Sequence, residues 1–79
     1  MRLVIYSKPG CHLCDEMKTL VSRVLEGRDH FSLEAIDISK DPDLLDRYGV
    51  EIPVLMIDGK KAAKYRITEK ELTRILDNR

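Results

Sequence analysis

The first half of the chain changes from a strand-like pattern to a helical pattern across a Pro-Gly turn, and this change most constrains the fold. Residues 3–6 form a continuous apolar run, typical of a strand buried on both faces. From Leu13 the apolar residues follow a helical period, and Gly27 stands where helices commonly end. Residues 31–38 are again strand-like. Strand, helix and strand in this order predict a parallel pair with a right-handed crossover.

The middle of the chain predicts a short helix. Asp41 is a suitable helix cap, and Pro42 suits the first turn. Leu44, Leu45 and Tyr48 supply a short apolar face before Gly49.

The last third predicts a hairpin and a closing helix. Pro53 opens a third strand at residues 54–57, and the return strand covers residues 61–65. Asp58-Gly59 between them is a strong hairpin signal, because both turn positions need a positive φ. Thr68 and Glu71 fit a capping box for a last helix, whose inward residues are expected to be Leu72, Ile75 and Leu76. The order βαβαββα predicts an α/β fold: a mixed four-stranded sheet flanked by three helices.

Length and charge narrow the function classes. The chain has 79 residues, 14 of them basic and 14 acidic, so its formal net charge is zero. We expect one domain over residues 1–79, a monomer with no global field that attracts nucleic acid or anionic membranes. The basic residues that cluster on the last strand are expected to discourage edge-to-edge aggregation rather than to bind nucleic acid; they are Lys60, Lys61, Lys64 and Arg66. No apolar run approaches the roughly 20 residues of a membrane span, and the start does not resemble a signal peptide, so we expect a cytoplasmic protein.

Cys11 and Cys14 carry the main functional signal. A C-x-x-C pair between a strand and a helix in a β-α-β unit predicts thioredoxin-like redox chemistry. The attacking species in that chemistry is a thiolate, which a helix N-terminus stabilises. Cys14 lies on the apolar line of the helix with Met17, whereas Cys11 lies off it. We therefore predict that Cys11 is the exposed nucleophile and Cys14 the buried resolving thiol.

Two neighbouring residues are candidates for tuning this pair. Lys8 is close enough in sequence to add positive potential at Cys11, and His12 does so when protonated. An untuned, solvent-exposed His12 is an equally open interpretation.

A metal site is the alternative use of the cysteines. Tetrahedral zinc needs four ligands, and beyond the pair the chain offers His12, His30 and carboxylates. Such a site requires His30 to fold back or two chains to share an ion. We favour redox chemistry and expect no metal ligands.

The chain resembles the glutaredoxins of the thioredoxin fold, and the resemblance covers nearly its whole length. It rests on residues 6–14, on Ile52-Pro53-Val54, on Asp58-Gly59 and on the element order. The Cys-x-Leu-Cys form is similar to small prokaryotic members. The resemblance implies a cis peptide bond before Pro53, and a main chain at Ile52 that pairs with an extended peptide or with glutathione.

The resemblance also implies partners and a reaction. It implies a thiol–disulfide oxidoreductase that reduces protein disulfides, acts in electron transport and cell redox homeostasis, and binds no resident cofactor. Lys8, Pro9, His12, Ile52 and Pro53 are its expected substrate-binding residues. Typical members carry threonine in place of Glu51, and a Gly-Gly-x-Asp segment where this chain has residues 65–69. The electron donor therefore stays open between glutathione and thioredoxin reductase, and a metal, iron–sulfur or partner-binding module stays open as an alternative function.

Overall fold

The computed structural model describes residues 1–78, and within them four strands and three α-helices follow the predicted order. The strands are β1 (Arg2–Ser7), β2 (Ser32–Asp37), β3 (Val54–Ile57) and β4 (Lys60–Lys64), and the helices are α1 (His12–Leu25), α2 (Pro42–Tyr48) and α3 (Glu69–Asp77). Arg79, the last residue of the predicted domain, lies outside the described residues. No helix of the described part is long and apolar enough to cross a membrane.

The four strands form one mixed sheet in the order β2-β1-β3-β4. β1 pairs in parallel with β2, which confirms the predicted crossover, and antiparallel with β3. The β3–β4 hairpin turns at Asp58 and Gly59, whose φ angles are 50° and 85°, as the turn signal predicts. β4 is an edge strand of this sheet, so its lysines stand where a charged side chain discourages pairing with another chain.

One face of the sheet carries the main core, because α1 and α3 both cover it. Side chains alternate along a strand, so Leu3 and Ile5 point to the same face and are fully buried there. The core cluster comprises Leu3, Ile5, Met17, Val21, Leu55, Ile57, Leu72 and Leu76. The opposite face meets the shorter α2, where the Tyr48 ring stacks on the Tyr6 ring with centroids 4.9 Å apart.

The predicted carboxyl ends of the second strand and of the return strand are each one residue too far along the chain. The second strand stops at Asp37, because the Asp37 carboxylate accepts the Ser39 N–H at 2.9 Å and starts a 3₁₀ turn at Ile38–Lys40. The return strand stops at Lys64, because Tyr65 adopts a left-handed backbone with a φ of 67°. Gly27 has a φ of 81° just beyond α1, as its predicted place at the helix end requires.

Replacing Thr68 with alanine tests the cap of α3. The Thr68 hydroxyl accepts the Glu71 N–H at 3.1 Å, and the Glu71 carboxylate accepts the Thr68 N–H at 3.3 Å. Because Thr68→Ala removes the hydroxyl that accepts the Glu71 N–H, we expect a loss of about 1 kcal/mol in the free energy of unfolding, measured by urea titration. Thr19→Ala, on the exposed surface of α1, is the control and should not destabilise. Equal stabilities for the two variants would contradict the capping role.

Candidate active site

A tight turn delivers Cys11 from the end of β1 to the start of α1. Pro9 fixes φ at the second position of the turn, and Gly10 supplies the positive φ of 77° that the third position requires. The turn is closed by the Cys11 N–H, which donates to the Lys8 carbonyl at 3.3 Å. Cys11 is the N-cap residue of α1, with an extended backbone (φ −86°, ψ 109°). The predicted nucleophile thus lies at the positive end of the helix dipole.

The two cysteines differ in exposure, as the helical pattern predicts. They form a disulfide with Cα atoms 5.2 Å apart, within the usual range for such a bond. The Cys14 side chain is fully buried, whereas Cys11 is partly exposed. The Cys14 N–H donates to the Cys11 sulfur at 3.2 Å. An external disulfide can therefore approach Cys11 but not Cys14, and a helix-end donor already points at the accessible sulfur.

The Ile52-Pro53 segment lies next to the end of β1. Tyr6 pairs with Val54 in the antiparallel register, so the Ile52-Pro53 segment, which directly precedes Val54, comes to the end of β1 that leads into the cysteine turn. The Ile52–Pro53 peptide bond is cis, as the resemblance implies. On its other side, the Pro53 carbonyl accepts the Tyr65 N–H at 2.9 Å. Two predicted binding residues, Ile52 and Pro53, are thus brought to the strand end that carries the cysteines.

The remaining predicted binding residues lie around the turn. Lys8 is half-buried and Pro9 is exposed. His12, the first residue of α1, points into solvent with its side chain 88% exposed, and its Nε2 lies 3.6 Å from a Glu16 carboxylate oxygen. The structure leaves these residues accessible, and their roles stay predictions.

Glu51 and Lys61 form an ion pair on the face of the sheet that α2 covers. The Lys61 ammonium lies 2.5 Å from a Glu51 carboxylate oxygen and 5.7 Å from the centroid of the Tyr48 ring. The hydrogen bond from Lys61 lowers the pKa of Glu51 below its ordinary value of 4.5. The same hydrogen bond raises the pKa of Lys61 above its ordinary value of 10.5. The pair ties the residue that precedes Ile52-Pro53 to β4.

The geometry does not assemble the metal site that the sequence left open. Within residues 1–78 no three histidine, cysteine or carboxylate side chains lie close enough to hold an ion. The carbonyl of His30 accepts a hydrogen bond from the Met1 ammonium at 2.6 Å, next to the first residue of β1. Because β1 spans six residues, His30 lies about 20 Å from the strand end that carries the cysteines. His30 therefore does not fold back onto the pair.

The contact of Tyr65 at this site was not predicted from the sequence. The return strand was expected to include Tyr65, whereas Tyr65 lies beyond the end of β4 and its N–H donates to the Pro53 carbonyl. No local signal could have found this, because a tyrosine does not favour a left-handed backbone. The ion pair of Lys61 was not predictable from local sequence either, because its partner Glu51 becomes adjacent only when β3 and β4 pair.

Together, the fold and the site define a thioredoxin-fold protein with a redox-type cysteine pair at a helix N-terminus. The chain belongs to the glutaredoxin-like family: its residues 2–77 match the family model described as "Glutaredoxin-like domain (DUF836)". It is also 35% identical over 72 residues to the glutaredoxin-like protein YDR286C homolog of Dictyostelium discoideum, a match that covers 85% of this chain and 67% of that protein.

Solved structures agree on the fold. The X-ray structure of the structural-genomics target XcR50 from X. campestris superposes with a TM-score of 0.81 at 26% identity, covering 98% of this chain and 97% of that one. The reduced form of desulfothioredoxin from Desulfovibrio vulgaris Hildenborough gives a TM-score of 0.70 at 22% identity, covering 99% and 80% of the two chains. The similarity to desulfothioredoxin is evidence for the thioredoxin fold alone.

The Glu51–Lys61 pair predicts a specific acid dependence of stability. Because folding lowers the pKa of Glu51, its contribution is present above the ordinary value of 4.5 and is lost as the pH falls through the folded value. We expect Glu51→Gln to be less stable than the unmodified protein near pH 7, and the gap to close below pH 4.5. Urea titrations across pH 2–7 measure this.

The control for this prediction is Glu26→Gln, at an exposed carboxylate after α1. We expect it to show a smaller gap at neutral pH. A Glu51→Gln gap that stays constant from pH 7 to pH 2 would contradict the ion-pair interpretation.

Proposed function

We propose that this protein is a thiol–disulfide oxidoreductase that reduces protein disulfides through a mixed disulfide at Cys11. The proposal rests on the different exposure of the two cysteines. Cys11 is accessible at the N-cap of α1, whereas Cys14 is fully buried in the first turn of the helix. The N-terminus of α1 favours negative charge on the Cys11 sulfur, which is the charge of the attacking species. Membership of the glutaredoxin-like family supports the same chemistry.

The reaction needs two exchanges. In the first, the Cys11 thiolate attacks one sulfur of the substrate disulfide; a Cys11–substrate bond forms, the substrate S–S bond breaks, and the departing sulfur takes a proton. In the second, Cys14 loses its proton and attacks the Cys11 sulfur, which releases the second substrate thiol. Two electrons pass to the substrate, and the protein ends with a Cys11–Cys14 disulfide.

Neighbouring residues are assigned to substrate contacts. The main chain of Ile52-Pro53 pairs with an extended substrate segment, because it ends beside the cysteine turn and precedes a short strand. Lys8 supplies positive potential to the Cys11 thiolate and to carboxylates of the substrate. Pro9 and His12 form the accessible rim of the turn.

The oxidised protein requires an external two-electron donor, which is either glutathione or thioredoxin reductase. No resident cofactor is needed, because both exchanges use sulfur alone. We propose a cytoplasmic setting, where reduced thiol pools return such a pair to its dithiol form.

Trapping the mixed disulfide tests the proposed function. Cys14→Ala keeps the nucleophile but lacks the resolving thiol, and alanine adds no buried polar group at this site. We expect Cys14→Ala to accumulate one equivalent of adduct at Cys11 with a disulfide-containing protein, seen by intact mass spectrometry. Cys11→Ser is the matched control and should form none. Adducts at Cys14 in Cys11→Ser, or none in Cys14→Ala, would contradict the assignment.

The donor is identified by reducing the oxidised protein under two conditions. We expect one system to regenerate the two thiols at least tenfold faster: glutathione alone, or thioredoxin reductase with NADPH. Thiol titration measures both rates, with Cys11→Ser as the blank. Failure of both systems to reduce the disulfide would contradict a cycling oxidoreductase.

A further inference from the structure

Ser7, the last residue of β1, carries a buried hydroxyl that the proposed exchange does not yet use. Only 4% of its surface is exposed, and among the buried residues of the described part it is the one with a polar or charged side chain. In the disulfide form its hydroxyl makes no hydrogen bond to another described residue. A hydroxyl placed at the edge of the core without a protein partner can donate to a nearby group that becomes charged.

The Ser7 side chain points to the face of the sheet that α1 covers. Side chains alternate along β1, so Ser7 shares a face with Leu3 and Ile5, and all three are buried. Leu3 and Ile5 pack in the core cluster with Met17 of α1. Ser7 is the next side chain of this row towards the cysteine turn, about 7 Å beyond Ile5.

Cys14 occupies the matching place on α1. The buried residues of this helix are Cys14, Met17 and Val21, which follow one of its faces. Because α1 starts just after β1 ends and packs back along it, the first turn of the helix lies over the end of the strand. Cys14 lies about 4.5 Å from Met17 along the helix axis in that direction. The Ser7 hydroxyl and the Cys14 sulfur are therefore at the same end of the interface between β1 and α1.

The surroundings of the Cys14 sulfur favour Ser7 as its hydrogen-bond donor. The Cys14 N–H already donates to the Cys11 sulfur, and Pro53, fully buried near the end of β1, has no N–H. The charged or titratable side chains at this end lie on the turn, on β2 and on α1, at exposed or half-buried positions: Lys8, Asp37, His12, Asp15 and Lys18. These side chains reach solvent, whereas the hydroxyl of Ser7 is buried on the same face as the sulfur.

We infer that the Ser7 hydroxyl donates a hydrogen bond to the Cys14 sulfur once the disulfide opens, and that this bond favours the Cys14 thiolate in the resolving step. The inference rests on the proposed disulfide exchange. In that step Cys14 loses its proton to solvent and its sulfur bonds to the Cys11 sulfur. The bond between Cys11 and the substrate breaks, and the departing sulfur takes a proton. Burial disfavours a charged sulfur, and the hydrogen bond offsets part of that effect.

A single turnover with one equivalent of dithiobis(nitrobenzoate) measures the two exchanges separately. Attack by Cys11 releases the first thionitrobenzoate, and attack by Cys14 on the mixed disulfide releases the second. We expect Ser7→Ala to leave the first rate unchanged and to raise the pH midpoint of the second rate by about one unit, the order expected for losing a hydrogen bond to a charged group. Below both midpoints the second rate should fall about threefold, because the less acidic thiol forms less thiolate but a more nucleophilic one.

Two further variants separate the hydroxyl from packing. Ser7→Thr keeps a hydroxyl on the same carbon and should keep the wild-type midpoint. Ser32→Ala, at an exposed serine of β2, is the matched control and should leave both rates unchanged. Urea titration of each variant separates these effects from unfolding.

The outcomes separate this inference from the proposed function. An unchanged midpoint in Ser7→Ala, a second rate lowered equally at every pH, or an equal slowing of the first rate would overturn the role of Ser7 while exchange still occurs. Release of fewer than two equivalents of thionitrobenzoate by the wild-type protein would overturn the exchange function itself and the role of Ser7 with it.

Discussion

The packing of α1 against β1 is the interaction on which the rest of the site depends. Leu3 and Ile5 are fully buried in one core cluster with Met17 and Val21, so the helix is fixed over the strand that precedes it. The positions of the cysteines then depend on the short turn between β1 and α1. Its Pro-Gly pair restricts the backbone conformation of that turn. The core that stabilises the sheet thereby also sets Cys11 at the N-cap and Cys14 inside.

The same packing explains how a small domain gives two chemically identical cysteine side chains different solvent exposure. Both sulfurs lie within one helical turn, yet one is at the surface and the other is fully buried. In the proposed reaction, an approaching disulfide meets the accessible sulfur first, and the second sulfur reacts only inside the molecule. On this view, selectivity between attack and resolution comes from position on a helix and needs no enclosed pocket.

The surface around the pair is assembled from distant parts of the chain. The antiparallel pairing of β1 with β3 brings Ile52-Pro53 to the cysteine turn, and β4 then brings Tyr65 to Pro53. The Glu51–Lys61 ion pair fastens the segment before Pro53 to the same hairpin. The cysteine turn, the Ile52-Pro53 segment and the residues after β4 are far apart in sequence. They form one surface because the strands lie in the order β2-β1-β3-β4.

The sequence by itself determined the element order, the crossover, the hairpin turn and the different exposure of Cys11 and Cys14, because each depends on local spacing or on φ preferences of neighbouring residues. It predicted too long a second strand, because the capping of Ser39 by Asp37 competes with an apolar pattern that continues to Ile38. The left-handed backbone of Tyr65 and its contact with Pro53 were decided only by the tertiary structure. They depend on contacts between residues far apart in sequence, and no local preference of tyrosine encodes them.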